Sequence, residues 1–157
     1  MRSRPSGGLP AILQVAVSSV LAAGRRWLGR ARLLVLVVGL YLRVELGLRR
    51  HPLPELCRRL GIGLGEGVPH LATGEVPSRV WLARRVRAVR RVSGHWPFGD
   101  TCLRRCLVLG SLLRCTGPVL VVGVRRTAGG SVEAHSWLEI AGRPVDPSSS
   151  SYAVLAM

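Results

Sequence analysis

A thiol, an imidazole and a carboxylate follow one another in the last third of this chain as Cys102, His135 and Asp146. Together these three groups can carry out acyl transfer. A thiolate attacks a carbonyl carbon, the imidazole moves the proton, and the carboxylate fixes the imidazole tautomer. That chemistry requires all three to reach one place, so the elements that carry them decide whether the reading stands. The plain alternative for Cys102 is a small buried hydrophobe, the usual fate of a free cysteine.

The positioning elements are legible. Trp96-Pro97-Phe98-Gly99 breaks the chain, Asp100 or Thr101 serves as an N-cap, and Leu103, Leu107, Gly110 and Leu113 follow at helical spacing until Thr116-Gly117-Pro118 stops the run. Cys102 then falls in the first helical turn, where unpaired N–H groups and the helix dipole favour an anion. Val119 to Val124 is a β-branched run and predicts a buried strand; Val132 to Ile140 predicts a second, and Arg143 to Asp146 a short third. If Ala141-Gly142 is a two-residue hairpin loop, Ile140 faces Arg143 and Trp137 faces Asp146. His135 and Asp146 then become diagonal neighbours on one face, roughly 7–8 Å apart at the backbone. A three-residue loop would send Asp146 to the other face. Glu139 is the rival orienter, but about 13 Å of strand rise separates it from His135.

Two tryptophans flank these groups. Trp96 precedes the helix and either lines a substrate site, with its indole N–H a candidate oxyanion donor, or packs. Trp137 lies on the face of His135 and either contacts substrate and shields the His–Asp pair from water or serves the core.

The blocks Cys102-Leu-Arg-Arg-Cys106-Leu-Val-Leu, Leu112-Leu113-Arg114, Val122-Gly123-Val124, Ala134-His135-Ser-Trp137-Leu-Glu139 and Val145-Asp146 resemble the transglutaminase-like cysteine peptidases of lasso-peptide biosynthesis. The resemblance covers roughly residues 78 to 152. It implies an α+β fold, with a transglutaminase/papain-like catalytic domain whose Cys-bearing helix packs on an antiparallel sheet bearing the His and Asp. It also implies Cys102 as nucleophile, His135 as general base and acid, and Asp146 as orienter. The substrate would be a leader–core precursor peptide, and no cofactor or metal would be needed. The short chain leaves no obvious room for a leader-binding module, so a separate leader-recognition protein is the expected partner, with the lasso cyclase a further candidate. Cys106 departs from the family, which commonly carries serine there.

The rest of the chain is consistent with one small catalytic domain and an appended helical part. The expected division is residues 1–60 helical, 61–77 linker and 78–157 catalytic. Pro10 to Ala23 predicts a helix; Gln14, Ser18, Ser19 and the arginines that follow at once argue against a signal peptide. Leu33 to Leu42 is too short to span a bilayer and predicts a buried core helix, with peripheral membrane contact the alternative. Leu53 to Leu60 adds a short helix, and the Gly/Pro-rich stretch from Gly61 to Pro77 reads as a loop. Ser78 caps a helix to about Val92, with Val80, Leu82, Ala83, Val86, Val89 and Val92 apolar and arginines elsewhere. That arginine face is either simply solvated or a docking surface for an acidic precursor or partner.

The net charge of +15 comes entirely from arginine, because the chain contains no lysine. It attracts acidic peptides and anionic surfaces. Scarce aromatics leave stacking on nucleic acid unsupported. Cys57, Cys102, Cys106 and Cys115 form no CxxC pair and no zinc pattern, which suggests reduced thiols and a cytoplasmic setting. Two other functions fit the same residues: a transglutaminase-like acyl transferase, and a non-catalytic basic adaptor for a membrane or partner protein.

Overall fold

The computed structural model describes residues 11–65, 78–127, 129–146 and 151–155. Residues 1–10 and most of the expected linker lie outside the described residues. Backbone contacts divide the chain into two compact units, residues 1–33 and 34–157.

Helix α1 spans Ala11–Arg50. One continuous helix therefore covers both N-terminal segments that the sequence presents as separate. No proline interrupts it, and arginine between the apolar runs is a good helix former. In the first unit its Trp27 and Leu28 are exposed. In the second unit it lays a single stripe on the core, Val37, Tyr41 and Val44, all buried. The segment from Leu33 to Leu42 is thus not a buried core helix: Val35, Leu36, Val38 and Leu42 face outward.

After His51-Pro52, helix α2 (Leu53–Leu60) buries Leu56, Cys57 and Leu60. Strand β1 (Gly63–Leu64) follows, within the stretch expected to be loop. Helix α3 (Arg79–Ser93) is capped by Ser78, whose hydroxyl accepts from Trp81 N–H. Its inward side is centred on Ala88, Val89 and Ser93, while Val80 and Ala83, expected on the apolar side, are exposed. Helix α4 (Cys102–Leu112) runs into a 3-10 turn at Arg114–Thr116 and ends at Gly117.

Strands β2 (Val119–Arg126) and β3 (Val132–Ile140) form the antiparallel centre of the sheet. Strand β4 (Arg143–Pro144) pairs with the outer edge of β3, and β5 (Ala153–Val154) joins β1 on the other edge of β2. The sheet is mixed rather than wholly antiparallel, because Gly63 and Leu64 pair in parallel with Val119 and Leu120. A parallel pair needs a long crossover, and α3 and α4 lie between these two strands in sequence. Leu107 and Val108 of α4 share the core with Leu120, Val121 and Leu138 of the sheet. Gly110 permits this close approach: a Cβ there would sit 2.7 Å from Ile62 Cδ1 and 3.3 Å from Leu138 Cδ2.

Candidate active site

The site begins where α4 begins. Gly99, at a φ of 86°, closes the turn from Trp96 by donating its N–H to the Trp96 carbonyl. Thr101 takes extended geometry, and its hydroxyl accepts from Arg104 N–H at 3.3 Å. Thr101 is thus the cap, and Asp100 pairs instead with Arg105, Nε to Oδ1 at 3.1 Å. Cys102 is the first residue of the helix and half-buried. Only short-range backbone rules are needed to put its sulfur near free N–H groups.

His135 lies in β3 directly opposite Gly123 of β2. The next hairpin follows the two-residue loop: Ile140 pairs with Arg143 and Glu139 with Pro144. Ala141 and Gly142 take φ of 51° and 70°, the left-handed geometry that such a loop requires. Strand pairing ends at Pro144, two residues short of the expected Asp146, but Val145 N–H still donates to Leu138 C=O at 2.8 Å. Asp146 follows in a bend just beyond the ladder. Cys102, His135, Trp137 and Asp146 all line one cavity of about 60 Å³, with Arg90 and Arg105 also on its wall. That volume admits reacting atoms and a small group, so most of a larger substrate would lie outside it.

The imidazole is held by aromatic rings. His135 packs against the tilted ring of Tyr152 at 4.9 Å and stacks on Trp137 at 6.2 Å between ring centroids. The guanidinium of Arg125 sits 4.7 Å from the Tyr152 ring centroid, and Glu133 in turn accepts from Arg125 Nε at 2.9 Å. Tyr152 arrives there because β5 folds back on β2, with Val154 opposite Gly123. A side chain at Gly123 would collide with the Ala153 carbonyl oxygen and the Trp137 ring, at 2.8 and 2.9 Å. His135 Nε2 is buried and has no hydrogen-bond partner among the described residues. An unpaired buried nitrogen is costly where it has only a structural role, and is the position from which a thiol proton could be taken.

Trp137, buried, donates its indole N–H to Glu139 Oε1 at 3.0 Å. That contact occupies the rival carboxylate. Trp96 stands apart from the cavity wall: its ring packs on Tyr41 at 4.8 Å and on Phe98 at 6.2 Å. Cys106, one turn below Cys102, donates its thiol to the Ser136 carbonyl at 3.2 Å, and burial pushes its pKa up to about 12. The thiol of Cys57, buried on α2, is likewise pushed up to about 11. Among the described residues no three His, Cys, Asp or Glu side chains are grouped as a metal site would need, and no helix is long and apolar enough to cross a membrane.

Sequence reasoning missed Tyr152, Arg90 and Arg105 as parts of this neighbourhood. A lone aromatic after four serines was a weak sign of a docked tail. The arginines carried none, since an arginine in a helix reads first as solvated.

Comparison with curated proteins and with solved structures finds no match. A family profile described as the transglutaminase-like superfamily matches residues 19–157, which includes every element of the cavity wall. The chain belongs to the transglutaminase-like superfamily, whose members are typically cysteine-dependent enzymes, peptidases or transferases.

Proposed function

We propose that this protein is a cysteine peptidase that removes the leader from a ribosomally made lasso-peptide precursor. The observation that supports it most is the shared cavity: a cysteine at a helix start, a histidine and an aspartate from distant parts of the chain line one wall. The block resemblance supplies the substrate class. His135 takes the Cys102 proton, and the thiolate attacks the scissile carbonyl at the leader–core junction. Backbone N–H groups at the start of α4 receive the oxyanion, as preorganised donors do. His135 then protonates the leaving amine and activates the water that hydrolyses the thioester. Asp146 keeps the imidazole in the tautomer that leaves Nε2 to work.

Leader capture is assigned to a separate leader-recognition chain, with which this protein acts. Mass spectrometry of a precursor incubated with this protein and that chain tests both parts. Trimming at one junction, lost in Cys102→Ala, is the expected result. Trimming by Cys102→Ala would refute the peptidase, and full activity without the partner would refute the division of labour. A product carrying an added amine in place of water would move the protein to the transferases.

A further inference from the structure

A second concave feature lies on the far part of α1, remote in sequence from Cys102. Between Gly39 and Arg50, helix α1 and the following α2 enclose a groove of about 450 Å³. Its floor is apolar: Leu56 and Leu60 are buried at the bottom, and Leu42 and Leu46 form a wall. Leu56 reaches Gly47 so closely that the two helices meet without a gap, 2.5 Å from its Cδ1 to where a Cβ would be. The rim is basic, carrying Arg43, Arg50 and Arg59. Glu55 holds Arg59, but Arg43 and Arg50 have no carboxylate within ion-pair distance among the described residues.

The wall continues along α1. Val35, Val38, Leu42 and Leu46 are 73, 40, 52 and 51 % exposed. Their spacing of three and four residues puts them on one helix face. Single exposed apolar residues need no explanation, but a row of four beside a groove marks an interaction surface. From Gly39 to Arg50 the groove runs for about 16 Å of helix axis, close to three helical turns.

We propose that this groove is a docking site for an amphipathic helix of a partner protein, with aliphatic anchors at i, i+4 and i+7 and Asp or Glu along the flank that faces Arg43 and Arg50 of α1. The length and the row of anchors fit the helix-in-groove mode, in which ridges of an incoming helix enter between two packed ones. The rim sets the sign: two unneutralised guanidinium groups face any occupant, so an acidic flank gains charge-assisted contacts and a basic flank is repelled. A bilayer surface is the other occupant with apolar and anionic character. It is flat on this scale and cannot follow a concave floor down to Leu56 and Leu60, so the shape favours the helix. The proposal does not depend on the chemistry at Cys102.

The test uses the full chain and a panel of fluorescein-labelled, side-chain-stapled 14-residue helices. Each carries leucine at the anchor positions and differs only in that flank, glutamate or lysine; a scrambled glutamate peptide is the control. Fluorescence anisotropy at low salt is expected to show the glutamate peptide binding at least about tenfold more tightly than the lysine peptide, and weakening as salt rises. Leu46→Asp, on an exposed position that leaves the fold intact by circular dichroism, is expected to lose that binding. Arg43→Glu combined with Arg50→Glu is expected to reverse the preference toward lysine. Binding of the scrambled peptide as tightly as the glutamate peptide, no difference between flanks, or no binding by any panel member overturns the proposal. So does sedimentation with phosphatidylcholine–phosphatidylserine vesicles that Leu46→Asp abolishes while peptide binding is absent, which assigns the face to lipid.

Discussion

Glu45 of α1 accepts from Arg104 of α4, Oε2 to Nε at 2.9 Å, across 59 residues of chain. Arg104 is two positions beyond Cys102, and its own N–H is the one that Thr101 caps. The long N-terminal helix thereby grips the turn that carries Cys102. The hydrogen bonds and charge of Arg104 hold the Glu45 carboxyl below the usual carboxylate range. Both side chains are largely covered, so removing Arg104 leaves Glu45 only its longer contact with Arg49 at 3.4 Å. Arg104→Ala is expected to cost about 1–3 kcal/mol in urea unfolding at neutral pH. A carboxyl whose folded pKa is lowered stabilises above its unfolded value of 4.5 and loses that contribution as pH falls through the lower folded value. The gap between wild type and Arg104→Ala should therefore be full at neutral pH and shrink in acid. A gap that stays constant through that window would remove the ion pair from the account.

The four thiols sit in different surroundings. Desolvation of the sulfur keeps Cys57 and Cys106 protonated, at about 11 and about 12, although Cys106 as a residue is half-buried like Cys102; Cys115 is exposed. Brief iodoacetamide treatment near neutral pH, followed by peptide mapping, is expected to modify Cys102 and Cys115 and to spare the other two. Cys106→Ser should keep most activity, since a hydroxyl can also donate to the Ser136 carbonyl. Loss of activity in that variant as complete as in Cys102→Ala would give Cys106 a role that is denied to it here.

Tyr152 supports the imidazole from the C-terminal tail. Tyr152→Ala removes the ring packed against His135 and the partner of Arg125. Turnover is expected to fall roughly tenfold through misplacement of the base, with Tyr152→Phe close to wild type. Equal losses in both variants would point to the phenolic hydroxyl instead of the ring.

The hairpin loop sets which face Asp146 occupies. Ala141 holds a φ of 51°, strained for a residue with a Cβ. Ala141→Asn is expected to stabilise the protein by about 0.5–1 kcal/mol, read as a higher melting temperature with unchanged activity. Inserting one glycine between Ala141 and Gly142 shifts the side-chain alternation by one and turns Asp146 to the opposite face. Activity should then fall by about two orders of magnitude or more while the far-ultraviolet dichroism persists. An insertion variant with wild-type turnover would release Asp146 from its role.

What could be read in advance was local. The α4 cap, the β-branched run of β2, the bounds Val132 to Ile140 of β3 and the Ala141-Gly142 loop all follow from residue type and nearest neighbours. Strands β1 and β5 could not be seen, because two residues show no periodicity and both pair with β2 from far along the chain. The run from Leu33 to Leu42 misled for a related reason. Its composition is that of a buried helix, but only the stripe of Val37, Tyr41 and Val44 meets the core, and hydropathy alone does not say which side of a helix is covered. Trp96 lies close to Cys102 in sequence, yet its ring packs on Tyr41, over fifty positions earlier, and it is not among the residues that line the cavity. The register of Ile140 with Arg143 was available from the residues, whereas the packing of α4 on β3 that brings Cys102 to the same cavity is a long-range contact that no local rule supplies.

In the proposed mechanism the Cys102 thiol and the His135 imidazole work as one unit. The rate at which iodoacetamide alkylates Cys102 near neutral pH, followed by peptide mapping in wild type and in His135→Ala, tests it most directly. A rate at least about tenfold lower is expected in His135→Ala, with Cys115 labelled equally in both. Equal Cys102 rates in the two folded proteins would contradict it.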